Sequence, residues 1–195
     1  MQREAEVTRK TLETEVYVKL NIDGSGTAKA DTRIGFFDHM LVLLAKHALM
    51  DVEVVANGDL EVDSHHTIED TGIVLGQAIS KALGSKESIA RYGTAFVPMD
   101  EALVMVSMDL SSRPYLHFEV DFSTQKLGDM DTEMVEEFFR AISVHGGITL
   151  HIKLVHGKNN HHIAEAIFKA FGQALRKACE TDNRIKGVLS TKGTF

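Results

Sequence analysis

The chain has 195 residues, 44% hydrophobic and 25% charged, enough to bury a sizeable core in one domain or two small, tightly joined ones. A formal net charge of −7 argues against a broad nucleic-acid or membrane surface, although a few convergent basic residues can still hold one phosphate. The single cysteine, Cys179, excludes an intrachain disulfide and reads as a small buried hydrophobe on a helix; with no apolar signal core and no membrane-length apolar run, the expectation is a cytoplasmic protein.

Residues 4–21 read as strand, with Val16, Val18 and Leu20 alternating against Tyr17 and Lys19. Asp23-Gly24-Ser25-Gly26 is a turn. Residues 36–49 are too long and too rich in Leu and Ala for a strand and predict a buried helix. A strand over 51–56 ends at Asn57-Gly58-Asp59, and a second helix runs over 67–83 to Gly84. Strands return at 94–97, 102–110 and 115–122, with Pro114 at a strand start, where its missing N–H is tolerated. A third helix over 131–144, a strand over 148–155 and a fourth helix over 163–180 follow. From residue 182 on comes a basic tail rich in Gly, Ser and Thr.

This order repeats, and so do its polar residues. His65-His66-Thr67-Ile68-Glu69 recurs as His161-His162-Ile163-Ala164-Glu165, where 161 − 65, 162 − 66 and 165 − 69 are each 96. One helix earlier, His39 and His47 correspond to Glu137 and His145, at 137 − 39 and 145 − 47, each 98. The fold class expected is therefore α+β: an internally duplicated two-layer sandwich, each half a small sheet with two helices on one face. Residues 1–90 form the first half and 91–195 the second, packed helix layer to sheet layer as one compact unit.

The ten histidines find their explanation in the repeat. On a helix His65 and Glu69 are one turn apart, so an imidazole and a carboxylate share a face and can chelate one ion. The adjacent histidine is rotated by roughly 100° and serves a different ion. Nitrogen and oxygen donors without thiolate suit manganese, iron or zinc, and two copies imply two sites or one binuclear site. His117, His151 and His156 read as structural. Lys169, four residues after Glu165, lies on the same face as that ligand.

The residues that carry this pattern resemble the imidazoleglycerol-phosphate dehydratase family. The matching segments are Gly35-Phe36-Phe37-Asp38-His39-Met40-Leu41 with Leu44-Ala45-Lys46-His47, Asp63-Ser64-His65-His66-Thr67-Ile68-Glu69-Asp70, and Met99-Asp100-Glu101-Ala102. Further matches are Asp109-Leu110-Ser111-Ser112-Arg113-Pro114-Tyr115, Thr149-Leu150-His151, the run from Asn160 to Phe171, and Ser190-Thr191-Lys192-Gly193. The resemblance implies a fold like the second domain of ribosomal protein S5. It implies two Mn ions per active site and a homo-oligomer, a 24-mer built from trimers, with sites between subunits. It implies His39, His65, His66, Glu69, Glu137, His161, His162 and Glu165 as metal ligands; many members carry His where this chain has Glu137. Leu189 stands where Pro often precedes the Ser/Thr-Lys motif.

The reaction implied is dehydration of D-erythro-imidazole glycerol phosphate to imidazole acetol phosphate, a hydro-lyase step of histidine biosynthesis. No carbonyl acidifies the carbon that loses its proton. Two Lewis acids on the ring nitrogens would give a metal-bridged imidazolate able to expel the neighbouring hydroxyl, leaving a diazafulvene-like intermediate. The resemblance makes Glu13 and His47 acid–base groups, with Glu69 and Glu165 able to shuttle a proton, and Arg91, Arg113, Lys169, Ser190 and Lys192 phosphate ligands. A metal-storing assembly without chemistry would need no phosphate clamp. A di-iron carboxylate oxidase would use Glu-x-x-His on long bundle helices, whereas this chain has His-His-x-x-Glu on helices separated by strands.

Overall fold

A computed structural model of the protein describes residues 3–194. Each half opens with an antiparallel hairpin: β1 (Glu4–Lys10) with β2 (Thr14–Asn21), and β5 (Tyr92–Met99) with β6 (Ala102–Asp109). In each second strand alternate residues are buried, Val16, Val18 and Leu20 in one copy and Val104, Val106 and Met108 in the other, which gives each sheet one apolar face. β4 (Asp51–Gly58) and β10 (Thr149–His156) extend the hairpins antiparallel. β3 (Ala28–Asp31) and β7 (Tyr115–Glu119) then add in parallel, so the sheets have orders β1-β2-β4-β3 and β5-β6-β10-β7. A small ribbon, β8 (Lys126–Leu127) with β9 (Met130–Asp131), precedes the third helix.

Helices α1 (Gly35–Ala48) and α2 (His65–Leu83) cover the first sheet, and α3 (Glu133–Gly146) and α4 (Asn160–Cys179) cover the second. The expected α+β duplication is thus present, with one correction: the halves meet helix layer to helix layer. α1 lies on α4 and α2 on α3, because each sheet's apolar face is already covered by its own helices. The shared layer is filled by Phe37, Phe138, Phe139, Phe168 and Phe171, all fully buried. Each such ring contributes about 2–3 kcal/mol by burial.

Glycines set how closely the helices approach: Gly172 at the α1–α4 crossing, and Gly72 and Gly76 at the α2–α3 crossing, where a Cβ at Gly72 would lie 2.7 Å from the Phe138 carbonyl oxygen. Gly76 and Gly172 are copies (172 − 76 = 96). A Cβ at Gly172 would lie 2.5 Å from the Leu44 carbonyl oxygen and 3.0 Å from the Ala48 nitrogen, and one at Gly76 would lie 2.9 Å from the Gly146 nitrogen. Backbone therefore meets backbone at both crossings.

Element boundaries differ from the sequence reading in ways that matter for the site. The expected strand over 4–21 is a hairpin, broken where the Thr11 hydroxyl accepts from the backbone N–H groups of Glu13 and Thr14, 3.1 and 2.9 Å away. That turn has no Gly or Pro to announce it. β3 and the β8–β9 ribbon went unread. α2 and α4 begin at His65 and Asn160, earlier than expected, so both histidine pairs sit in a first helical turn. The Asn159 side chain caps α4, accepting from the N–H groups of His161 and His162. Among the described residues no helix is long and apolar enough to cross a membrane.

Candidate metal centre

His39 projects from α1 onto the first turns of α4. Its Nε2 lies 3.2 Å from Glu165 Oε1, and His161 Nε2 is 3.2 Å from the same oxygen. One ligand atom from each of His39, His161 and Glu165 falls within 4.8 Å of the others. Lys169 Nζ donates to the other oxygen, Glu165 Oε2, at 2.5 Å. Burial alone would push the Glu165 carboxyl up, but Lys169, His39 and His161 hold it down at about 2. Two imidazole nitrogens and an ionised carboxylate on two rigidly packed helices are a donor set that fits a divalent ion.

The second histidine of each pair turns away. His66 Nδ1 lies 3.0 Å from Asp59 Oδ2, and His162 Nδ1 lies 2.7 Å from Glu101 Oε2. Within each pair the rings are near perpendicular, at 77° for His65 and His66 and 90° for His161 and His162. A carboxylate on Nδ1 fixes ring orientation and leaves Nε2 as the outward donor. Asp59 raises the pKa of His66 and Glu101 that of His162. Glu101 is itself drawn down to about 2, first by His162 and then by the N–H groups of Asn159 and Lys158.

The other expected ligands stay apart within one chain. His65 Nε2 is 3.9 Å from Glu69 Oε2. Glu137, the copy of His39, accepts instead from Arg140 Nε on its own helix at 3.3 Å. Among the described residues no other trio of His, Cys, Asp or Glu closes as tightly as that around Glu165. Glu13 sits at the tip of the first hairpin, 3.9 Å from His66 Nδ1. His47, eight residues after His39, faces α4. Burial, then Lys169 and Arg176, lower its pKa and favour the neutral imidazole.

The expected phosphate ligands divide between two places. Lys169 is at the Glu165 centre. Arg91, Arg113, Ser190 and Lys192 line an open basin of about 1000 Å³ shared with Arg184 and Lys186. There Asp109 accepts from Arg91 Nε and Nη2 at 2.6 and 3.0 Å, and Arg91 Nη1 donates to the Leu189 carbonyl at 2.6 Å. That bond ties the tail down without the proline often found there. Arg113 Nη2 is 3.5 Å from Asp109. The Arg91 N–H donates to the carbonyl of Ala178, thirteen residues beyond Glu165 on α4 (178 − 165). The basin is therefore roughly 20 Å from the Glu165 centre along the helix axis.

Asp59, Glu101, Asp109, Arg184 and Lys186 have places at these sites that no sequence pattern points to directly. For Glu101 a signal existed: it is the copy of Glu13, since 101 − 13 equals 92 − 4, the spacing of the hairpins' first residues, 88. For Asp59 there was none beyond its place in a turn.

This duplicated sheet-and-helix plan is found among solved dehydratases. The imidazoleglycerol-phosphate dehydratase of Staphylococcus aureus superposes with a TM-score of 0.83 at 40% identity, covering 92% of this chain and 99% of that one. IGPD from Pyrococcus furiosus in complex with (S)-C348 gives 0.84 at 36% identity, covering 97% and 100%. The imidazoleglycerol-phosphate dehydratase of Acetivibrio thermocellus is 62% identical over 193 residues, 99% of each chain. The family model for imidazoleglycerol-phosphate dehydratase matches residues 32–175. The chain belongs to the imidazoleglycerol-phosphate dehydratase family.

Proposed function

We propose that this protein dehydrates imidazole glycerol phosphate to imidazole acetol phosphate in histidine biosynthesis, in the cytoplasm, with two manganese ions per site. The observation that carries the reading is the convergence of His39, His161 and Glu165, from different halves, to within 4.8 Å. His65, Glu69, His66, His162 and Glu137 are the further ligands. Two divalent ions held by these side chains would supply Lewis acidity to the two nitrogens of the substrate ring.

The chain's own groups do the rest. Lys169 keeps Glu165 ionised, and Asp59 and Glu101 hold the rings of His66 and His162 with Nε2 outward. Glu13 has an exposed carboxylate and acts as one proton-transfer group; His47, favoured in its neutral form, acts as the other. Arg91, Arg113, Ser190 and Lys192 bind the phosphate through charge-assisted donors. A three-carbon phosphate ester cannot span the roughly 20 Å between basin and centre. Each site therefore takes its basin from a neighbouring subunit of a homo-oligomer, a 24-mer of trimers.

The test is metal analysis paired with a dehydration assay. Chelation should remove bound metal and abolish turnover, and added Mn²⁺ should restore both. Full turnover in metal-free protein would overturn the proposal.

A further inference from the structure

The two hairpin tips are copies, yet their glutamates do different work. Glu101 is committed to structure: its Oε1 accepts from the N–H groups of Lys158 and Asn159 at 3.1 and 2.7 Å, and its Oε2 sits on His162. The Glu13 carboxylate has no such bonds. It lies 3.9 Å from His66 Nδ1 with its side chain 57% exposed, while Asp59 takes the closer position on that nitrogen.

The first hairpin is held instead by Asp70. This carboxylate, 6% exposed, accepts from Arg9 Nη1 at 2.5 Å and from the Thr14 hydroxyl, one on each strand of the hairpin. Asp70 is one turn after His66 on α2, so both feet of the tip are fastened to the helix that carries the histidine pair. In the second half the same three positions are apolar. Arg9 becomes Val97 (97 − 9 = 88), Thr14 becomes Ala102 (102 − 14 = 88) and Asp70 becomes Ala166 (166 − 70 = 96), buried to 5%, 1% and 0% exposure. The fold therefore closes this contact with three hydrocarbon side chains. The Arg9 side chain is 34% exposed, and an ion pair desolvated at its carboxylate end is often no more stable than such packing, so stability does not account for the polar trio.

We propose that Asp70 is a positioning residue, holding the Thr14 and Arg9 feet of the hairpin so that the Glu13 carboxylate stands over the histidine pair of α2. The proposal rests on the reading of Glu13 as a proton-transfer group. Releasing the feet lets the tip shift without removing any ligand, and a displacement of about 1 Å in a catalytic group costs roughly 100-fold in rate.

The test is the triple variant Arg9→Val, Thr14→Ala, Asp70→Ala, which copies the second half's trio into the first, made in the metal-loaded oligomer beside Glu13→Gln. The expected result is native-like melting, unchanged bound metal and KM, and kcat lower by roughly 100-fold. Thr14→Val and Thr14→Ser form the second pair, decisive if the triple variant does not fold: Val should lose kcat and Ser, which keeps the hydroxyl, should retain it. Wild-type kcat in the triple or in Thr14→Val, with Glu13→Gln inactive, overturns the role of Asp70 and leaves that of Glu13 standing. Full kcat in Glu13→Gln overturns the reading of Glu13 and the positioning role with it. Loss of bound metal in the folded triple, or a rise in KM alone, also overturns it.

Discussion

Glu165 is a buried carboxylate that stays ionised because three nitrogen-bearing groups surround it. The sign of its effect on stability follows. A folded-state pKa depressed from the ordinary 4.5 to about 2 contributes stability that is present above 4.5 and lost as the pH falls towards 2. Metal-stripped protein should therefore lose stability over that window in acid unfolding, and Glu165→Gln should flatten the loss; an identical acid profile in the two proteins would contradict this. At this scale much was legible beforehand. The helical spacing of His161, Glu165 and Lys169 puts them on one face whatever the tertiary structure. Cys179 is the buried small hydrophobe that its helical position predicts, at 2% exposure with burial pushing its thiol to about 12. What local spacing could not show is that His39 completes the Glu165 cluster, because that contact crosses from one half to the other. Nor could it show that Glu137, in the equivalent place, turns to Arg140.

Among elements, the crossing of α1 and α4 puts His39 within reach of Glu165, and Gly172 allows the crossing. A methyl there meets the Leu44 carbonyl at 2.5 Å, and backbone cannot rotate aside as a side chain can. Gly172→Ala should cost about 1–3 kcal/mol of stability, read as a lower melting temperature. It should also weaken metal binding by moving His39 off the cluster. The copy, Gly76→Ala, should destabilise similarly through α3 while leaving the His39 contact alone. Equal loss of metal affinity in both variants would show that general loosening, and not the displacement of His39, is responsible. The long helices were readable because their apolar residues recur over many turns. The short elements were not: β3 spans four residues, and the hairpin bend rests on one threonine hydroxyl.

For the molecule as a whole, the dominant feature is distance. His39, His161 and Glu165 gather at the N-terminal end of α4, and the basic basin lies roughly 20 Å away, beyond the far end of that helix. If neighbouring subunits complete each other's sites, two inactive variants should repair one another. His161→Ala and Arg113→Ala, each inactive alone, should regain a fraction of turnover when unfolded, mixed and reassembled together. No recovery from a correctly assembled mixture would place both halves of the site in one chain. The duplication was legible from two polar patterns recurring at fixed offsets. How the copies face each other was not, since either face of an amphipathic helix pair satisfies the same periodicity.

That separation also bears on inheritance. In the proposed assembly, a subunit whose basin is ruined but whose helices fold well would still enter and take a place beside a healthy neighbour, whose centre would then lack a grip on its substrate. Alleles damaging the basin would thus interfere with a normal copy in the same cell, whereas alleles that prevent folding would simply be absent from the assembly and be recessive.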